Sequence, residues 1–177
     1  MSKLSNNIQT TFKNVITIYQ ETANLLQDVS SILEKAGYRC LHGNSIGTEL
    51  SRDINNPQWW IISYASRYFH AQENPDEIKA VGVFFTDKNY TPIEPIILIG
   101  CLKMQKRENE EASSYNYWYL KEFWFTKIKE RKLKVDLDFE GKWNVISGKI
   151  RAVPLIEVNN QETLKEHVID PFIAMSC

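Results

Sequence analysis

Between Ser5 and Ala36 the apolar positions Ile8, Phe12, Val15, Tyr19, Leu26, Val29 and Leu33 recur at alternating spacings of four and three, with Thr22 taking one place in the series. Ile16, Leu25 and Ile32 flank that seam, and the pattern is that of an amphipathic helix. Ser5 or Asn6 suits its N-cap, and Gly37 suits the left-handed residue that ends it. Such a helix runs roughly 45 Å at ~1.5 Å per residue. That is longer than a compact domain of this size needs, so the pattern predicts either an overhang or packing against a second copy.

From Tyr38 to Ile54 the periodicity lapses, and a short strand or turn followed by a loop is expected. A second helix is then predicted, capped by Asn55 or Asn56, with Pro57 in its first turn and Trp60, Ile61, Tyr64, Tyr68 and Phe69 on one face through about Ala71. Asn74-Pro75 should close it. Ala80–Thr86 and Ile96–Met104 are apolar at consecutive positions, as in strands covered on both faces, and the residues between them suit a hairpin. Lys106–Ser114 reads as a solvated loop. The aromatic stretch 115–125 reads as a strand on composition, although Lys121, Glu122 and the basic tail after it would suit a helix. A strand at 133–139, a turn at Gly141, a strand at 149–158 and a helix from Gln161 behind Asn160 follow, with Asp170-Pro171 expected to end that helix. The expected fold is therefore α+β: a long N-terminal helix and a second helix on a largely antiparallel sheet of four to five strands, with a C-terminal helix.

With 177 residues, 43% of them hydrophobic and 24% charged, the chain has the bulk for one globular domain. Its formal net charge of −1 supplies no long-range field for nucleic acid or an anionic membrane. Cys40, Cys101 and Cys177 are odd in number, far apart and free of any C-x-x-C spacing, which favours a reducing, cytoplasmic setting. No apolar run has the ~20-residue length of a bilayer span.

Several residue groups bear on function, each with a plainer reading beside it. Asp136, Asp138 and Glu140 would share one face of a strand, where carboxylates could hold Mg²⁺ or Ca²⁺. The twelfth position of a calcium loop falls on Ser147, however, and a solvated sheet face explains the triplet. Asn74–Lys79 holds Pro-Asp and Glu-x-Lys in one run, whereas metal-dependent nucleases carrying those signatures split them between strands; a turn into a strand accounts for the run. Cys40-x-His42, with His70, could supply a nucleophile or ligand set, but isolated histidines, His167 included, more often sit at element ends. Gly37, Gly43 and Gly47 lack the lysine-serine pair of a phosphate cradle.

Adjacent Trp59 and Trp60 would point about 100° apart on a helix, so one should meet solvent or a partner, and Arg67 could join them in holding a planar anion; the plainer reading is that Trp59, in the first turn, covers the end of the core. Most of the seven aromatics in 115–125 read as core, but together they overfill one buried face, which marks Tyr115, Tyr117 and Tyr119 as the border of a groove or oligomer contact. The expected binding set is Trp59, Trp60, Arg67, His70, Tyr115, Tyr117 and Tyr119. No cofactor is implied. The reading is a non-enzymatic binding or assembly protein that self-associates through helix 5–36 and takes a protein or small-molecule partner. One alternative is a nucleic-acid-associated factor using 115–134, where Lys127, Lys129, Arg131, Lys132 and Lys134 follow the aromatics. A small metal-dependent hydrolase is the other.

Overall fold

The computed structural model describes residues 3–48, 54–55, 57, 61–71, 74–87, 91–104, 137–140 and 145–177. Helix α1 spans Lys3–Lys35. It ends as expected: the Gly37 N–H donates to the Glu34 carbonyl at 3.1 Å while Gly37 adopts a φ of 90°. The strands are β1 (Tyr38–Cys40), β2 (Tyr64–Ala71), β3 (Asn74–Thr86), β4 (Pro92–Met104), β5 (Leu137–Glu140) and β6 (Val145–Pro154). They form an antiparallel sheet in the order β1-β2-β3-β4-β6-β5. The fold is α+β, and β3 and β4 occupy the centre, where their unbroken apolar runs require cover on both sides.

Alternation along the strands separates two cores. Tyr64, Tyr68, Ile78, Ala80, Phe84, Leu98 and Leu102 pack together on one face, with the Tyr64 and Phe84 rings stacked at 5.2 Å. The other face carries Ala65, Phe69, Val81, Val83, Ile97, Ile99 and Val153, against Leu26, Val29 and Leu33 of α1 and Leu164, Val168, Ile169 and Phe172 near the C-terminus.

Three expectations are corrected. The helix predicted from Pro57 to Ala71 is a strand over Tyr64–Ala71. Burial of β2 on both faces puts apolar residues at consecutive positions, so Tyr64, Tyr68 and Phe69 mimic a helical spacing although β2 pairs along its length with β3. Residues 74–79, read as a turn, open β3.

Finally, Asp170-Pro171 does not end the C-terminal helix, α2 (161–174). After Gln161–Leu164 the coil widens to a π turn over Lys165–Ile169, where the Asp170 N–H donates to the Lys165 carbonyl, and it continues as Asp170–Ala174. The wider turn shifts the bonding register just before Pro171, which has no N–H to give. The start of α2 is as expected: Asn160 Oδ1 accepts from the Thr163 N–H at 2.9 Å, and Thr163 Oγ1 accepts from the Asn160 N–H at 3.2 Å. The strand expected at 149–158 ends at Pro154 and turns through a 3-10 segment, Leu155–Glu157. Among the described residues, no helix is long and apolar enough to cross a membrane.

Candidate functional site

The features that could meet a partner cluster along α1 and at its junction with α2. From Thr22 onward the helical seam is buried: Leu26 is 2% exposed and Val29 and Leu33 are sealed. Thr22 closes its own hydroxyl onto the Ile18 carbonyl at 2.7 Å, which lets a polar residue sit in that seam. Tyr19 marks the edge, its hydroxyl accepting from the Ile62 N–H at 3.0 Å. N-terminal to it the seam leaves the sheet, and Leu4, Ile8, Phe12, Ile16 and Ile18 are all exposed, Phe12 at 65% and Ile8 at 50%. A 33-residue helix is ~50 Å long, so about half of it projects with an uncovered apolar stripe.

Where α1 crosses onto the sheet, it and the turn into α2 enclose a groove of about 440 Å³, lined by Ile18, Leu25, Leu155 and Leu164 with Glu21 and Asp28 among its polar residues. The Asn160 cap fixes the α2 side of this groove, and packing of Leu26 and Val29 fixes the other. Leu25, at the buried end of the stripe, belongs to both the groove and the margin of the core, so the projecting surface and the groove are continuous.

The expected binding residues fall in different places. Trp59, Trp60, Tyr115, Tyr117 and Tyr119 lie outside the described residues, as do the basic positions 127–134. Arg67 is buried at 8% exposure on the helix-facing side of β2, and its Nη2 donates to the Cys40 sulfur at 3.0 Å and to the Gly43 carbonyl. In that position the guanidinium braces the chain after β1 against β2. His70 is half-buried, its Nδ1 3.2 Å from the Ala71 carbonyl beside the bulge that ends β2. Cys40 packs at the margin of the helix-facing core, whereas His42 sets its ring edge-on to Tyr68 of the opposite core at 6.2 Å, so the Cys40-x-His42 pair is divided between the two faces. In the acidic triplet, Asp138 stands in register with Lys149 and Glu140 with Ser147; Asp136 lies outside the described residues.

A second cluster has no counterpart among the expected sites. Cys101 of β4 is joined to Cys177 across 76 residues of sequence, with 5.3 Å between their Cα atoms. Distance along the sequence thus did not keep these two cysteines apart, since antiparallel pairing and the return of α2 across the sheet bring together residues that are remote along the chain. Sequence spacing no longer speaks for a reducing compartment. Beside the bond, Lys79 is 2% exposed, with Nζ 3.5 Å from a Glu77 carboxylate oxygen and donating to the Phe172 carbonyl at 3.1 Å and to the Met175 carbonyl.

Burial pulls Lys79 below the ordinary lysine range, with Glu77 opposing the shift. Burial, and then the Glu77 carboxylate, raise the Tyr38 hydroxyl. The only sequence signals for this cluster were a Glu-x-Lys in a run read as a turn and two cysteines, and neither specifies a neighbour in space. Comparison with family models, with curated proteins and with solved structures finds no match for this chain.

Proposed function

We propose that the protein is a non-catalytic assembly or binding protein whose projecting half of α1 packs antiparallel along helix α1 of a second copy. The observation that carries this reading is the exposed stripe Leu4, Ile8, Phe12, Ile16 and Ile18, which continues a seam that the chain itself buries further along. Covering an apolar side chain of this size contributes roughly 1.5–3 kcal/mol when complete. Half covered, five such residues from each of two copies contribute roughly 7–15 kcal/mol, which offsets all but the upper end of an association cost of about 4–15 kcal/mol.

Charge supports an identical partner. Lys3 and Lys13 are the only charged residues between Lys3 and Gln20, whereas the groove at the helix's midpoint carries Glu21 and Asp28. An antiparallel, two-fold pair centred near Thr17 sets Lys13 of each copy near Glu21 of the other, and it lays the stripe of one copy toward the groove of its mate.

Light scattering coupled to size exclusion tests this reading. A concentration-dependent dimer is expected; Phe12→Glu should make it monomeric, with loss of no more circular dichroism than the helical signal of the first half of α1. Lys13→Glu should weaken it, with the double variant Lys13→Glu, Glu21→Lys restoring it. A strict monomer at millimolar concentration would refute the proposal.

A further inference from the structure

At the foot of the central strands, Glu77 on β3, Cys101 on β4 and Cys177 beyond α2 each bring a ligand atom to one point: a carboxylate oxygen and two sulfurs lie within 4.8 Å of one another. These residues come from three separate elements, and each is fixed by a different constraint. Cys101 is sealed in the helix-facing core and stands in register with Lys79. Glu77 is held by Lys79, with its side chain about a quarter exposed. Cys177 is exposed and is positioned by the end of α2, whose Phe172 and Met175 carbonyls are bonded to the Lys79 ammonium.

We propose that, once the Cys101–Cys177 bond is reduced, Glu77, Cys101 and Cys177 form a binding site for a borderline-soft divalent cation of the Zn²⁺ class. The step requires a thiol or phosphine reductant. The reductant breaks the Sγ–Sγ bond and loses two electrons: a dithiol closes to its own disulfide and gives up its two protons to the sulfurs, whereas a phosphine becomes its oxide, with the oxygen and both protons taken from water. Binding the cation then releases the two thiol protons to solvent.

Two thiolates and a carboxylate carry a charge of −3, of which Lys79 offsets one unit; a divalent cation balances the remainder. Sulfur donors select Zn²⁺ or Co²⁺ over Mg²⁺ and Ca²⁺, which require oxygen ligands. The same pair thus has two mutually exclusive closed states, a covalent one and a metal-bridged one, and either holds the end of α2 on the sheet.

The test uses the full chain, reduced with a phosphine, desalted without oxygen and titrated with Co²⁺. A thiolate-to-cobalt charge-transfer band in the near ultraviolet is expected to saturate at one Co²⁺ per chain, to be displaced by Zn²⁺ and to persist in excess Mg²⁺ or Ca²⁺. The unreduced protein should lack it. Glu77→Gln, which leaves both sulfurs in place, should weaken Co²⁺ binding about tenfold or more. Cys177→Ser should remove at least half of the band, and Cys40→Ser should leave it intact. Absence of the band from the folded, reduced protein would overturn the proposal, as would a band undiminished in both Glu77→Gln and Cys177→Ser.

Discussion

Lys79 concentrates much of the chemistry of the helix-facing core in one side chain. A lysine sealed to 2% exposure among Val81, Cys101 and Phe172 is tolerable because its ammonium caps the last turn of α2 and meets a carboxylate. Lys79→Met keeps the stem but leaves the α2 carbonyls without their donor, and it should lower stability by about 1–3 kcal/mol in chemical denaturation near neutral pH. The pH dependence has a definite sign. The folded-state pKa lies below the unfolded value, so between the two the unfolded chain binds more protons and stability rises with pH. Wild type should therefore gain on Lys79→Met as pH climbs from the depressed value toward that of a free lysine. A pH-independent difference would mean that burial does not perturb the ammonium. Arg67 follows the same logic: composition marks it as a candidate anion contact, but its bonds to Cys40 and Gly43 depend on where the chain returns, which residue identity does not specify.

At the level of elements, legibility followed the number of faces an element buries. Helix α1, β3, β4 and the start of α2 were readable because one-sided burial, two-sided burial and a capping box each leave a local signature. Strand β2 was not, because residues buried on both sides of a strand and the stripe of a short helix yield the same apolar list; the choice was made by pairing with β3. Gly82, opposite Ser66 in that pairing, shows how close the fit is. A Cβ there would lie 2.9 Å from Phe84 Cε2 and 3.1 Å from Ser66 Cβ. Gly82→Ala should cost roughly 1–3 kcal/mol, read as a lower denaturation midpoint with an unchanged slope. Stability equal to wild type would show that the β2–β3 face has slack. Continuation of α2 past Pro171 was equally hidden, because a proline predicts a break and only the tertiary packing of Phe172 and Met175 rewards going on.

Across the whole molecule, the Cys101–Cys177 bond ties the end of α2 to the middle of the sheet and closes a span of 76 residues. Reduction in the absence of metal should lower the unfolding free energy by about 2–4 kcal/mol, since the bond restricts the unfolded chain. An unchanged midpoint would show that Lys79 and the apolar contacts of α2 hold the segment alone. This link was illegible in the sequence because spacing along a chain carries no information about which ends a sheet brings together. The long helix was legible from the start, yet its division at Tyr19 was not, since the apolar seam runs through both halves alike.

That division makes α1 one continuous coil with two separate sources of support. Beyond Tyr19 its turns are held by the sheet. Before it they rest on intrinsic propensity, which is marginal for a segment of this length in water. Order in the first half is therefore conditional on whatever lies along it, and the winding of those turns and the docking of a companion become a single event.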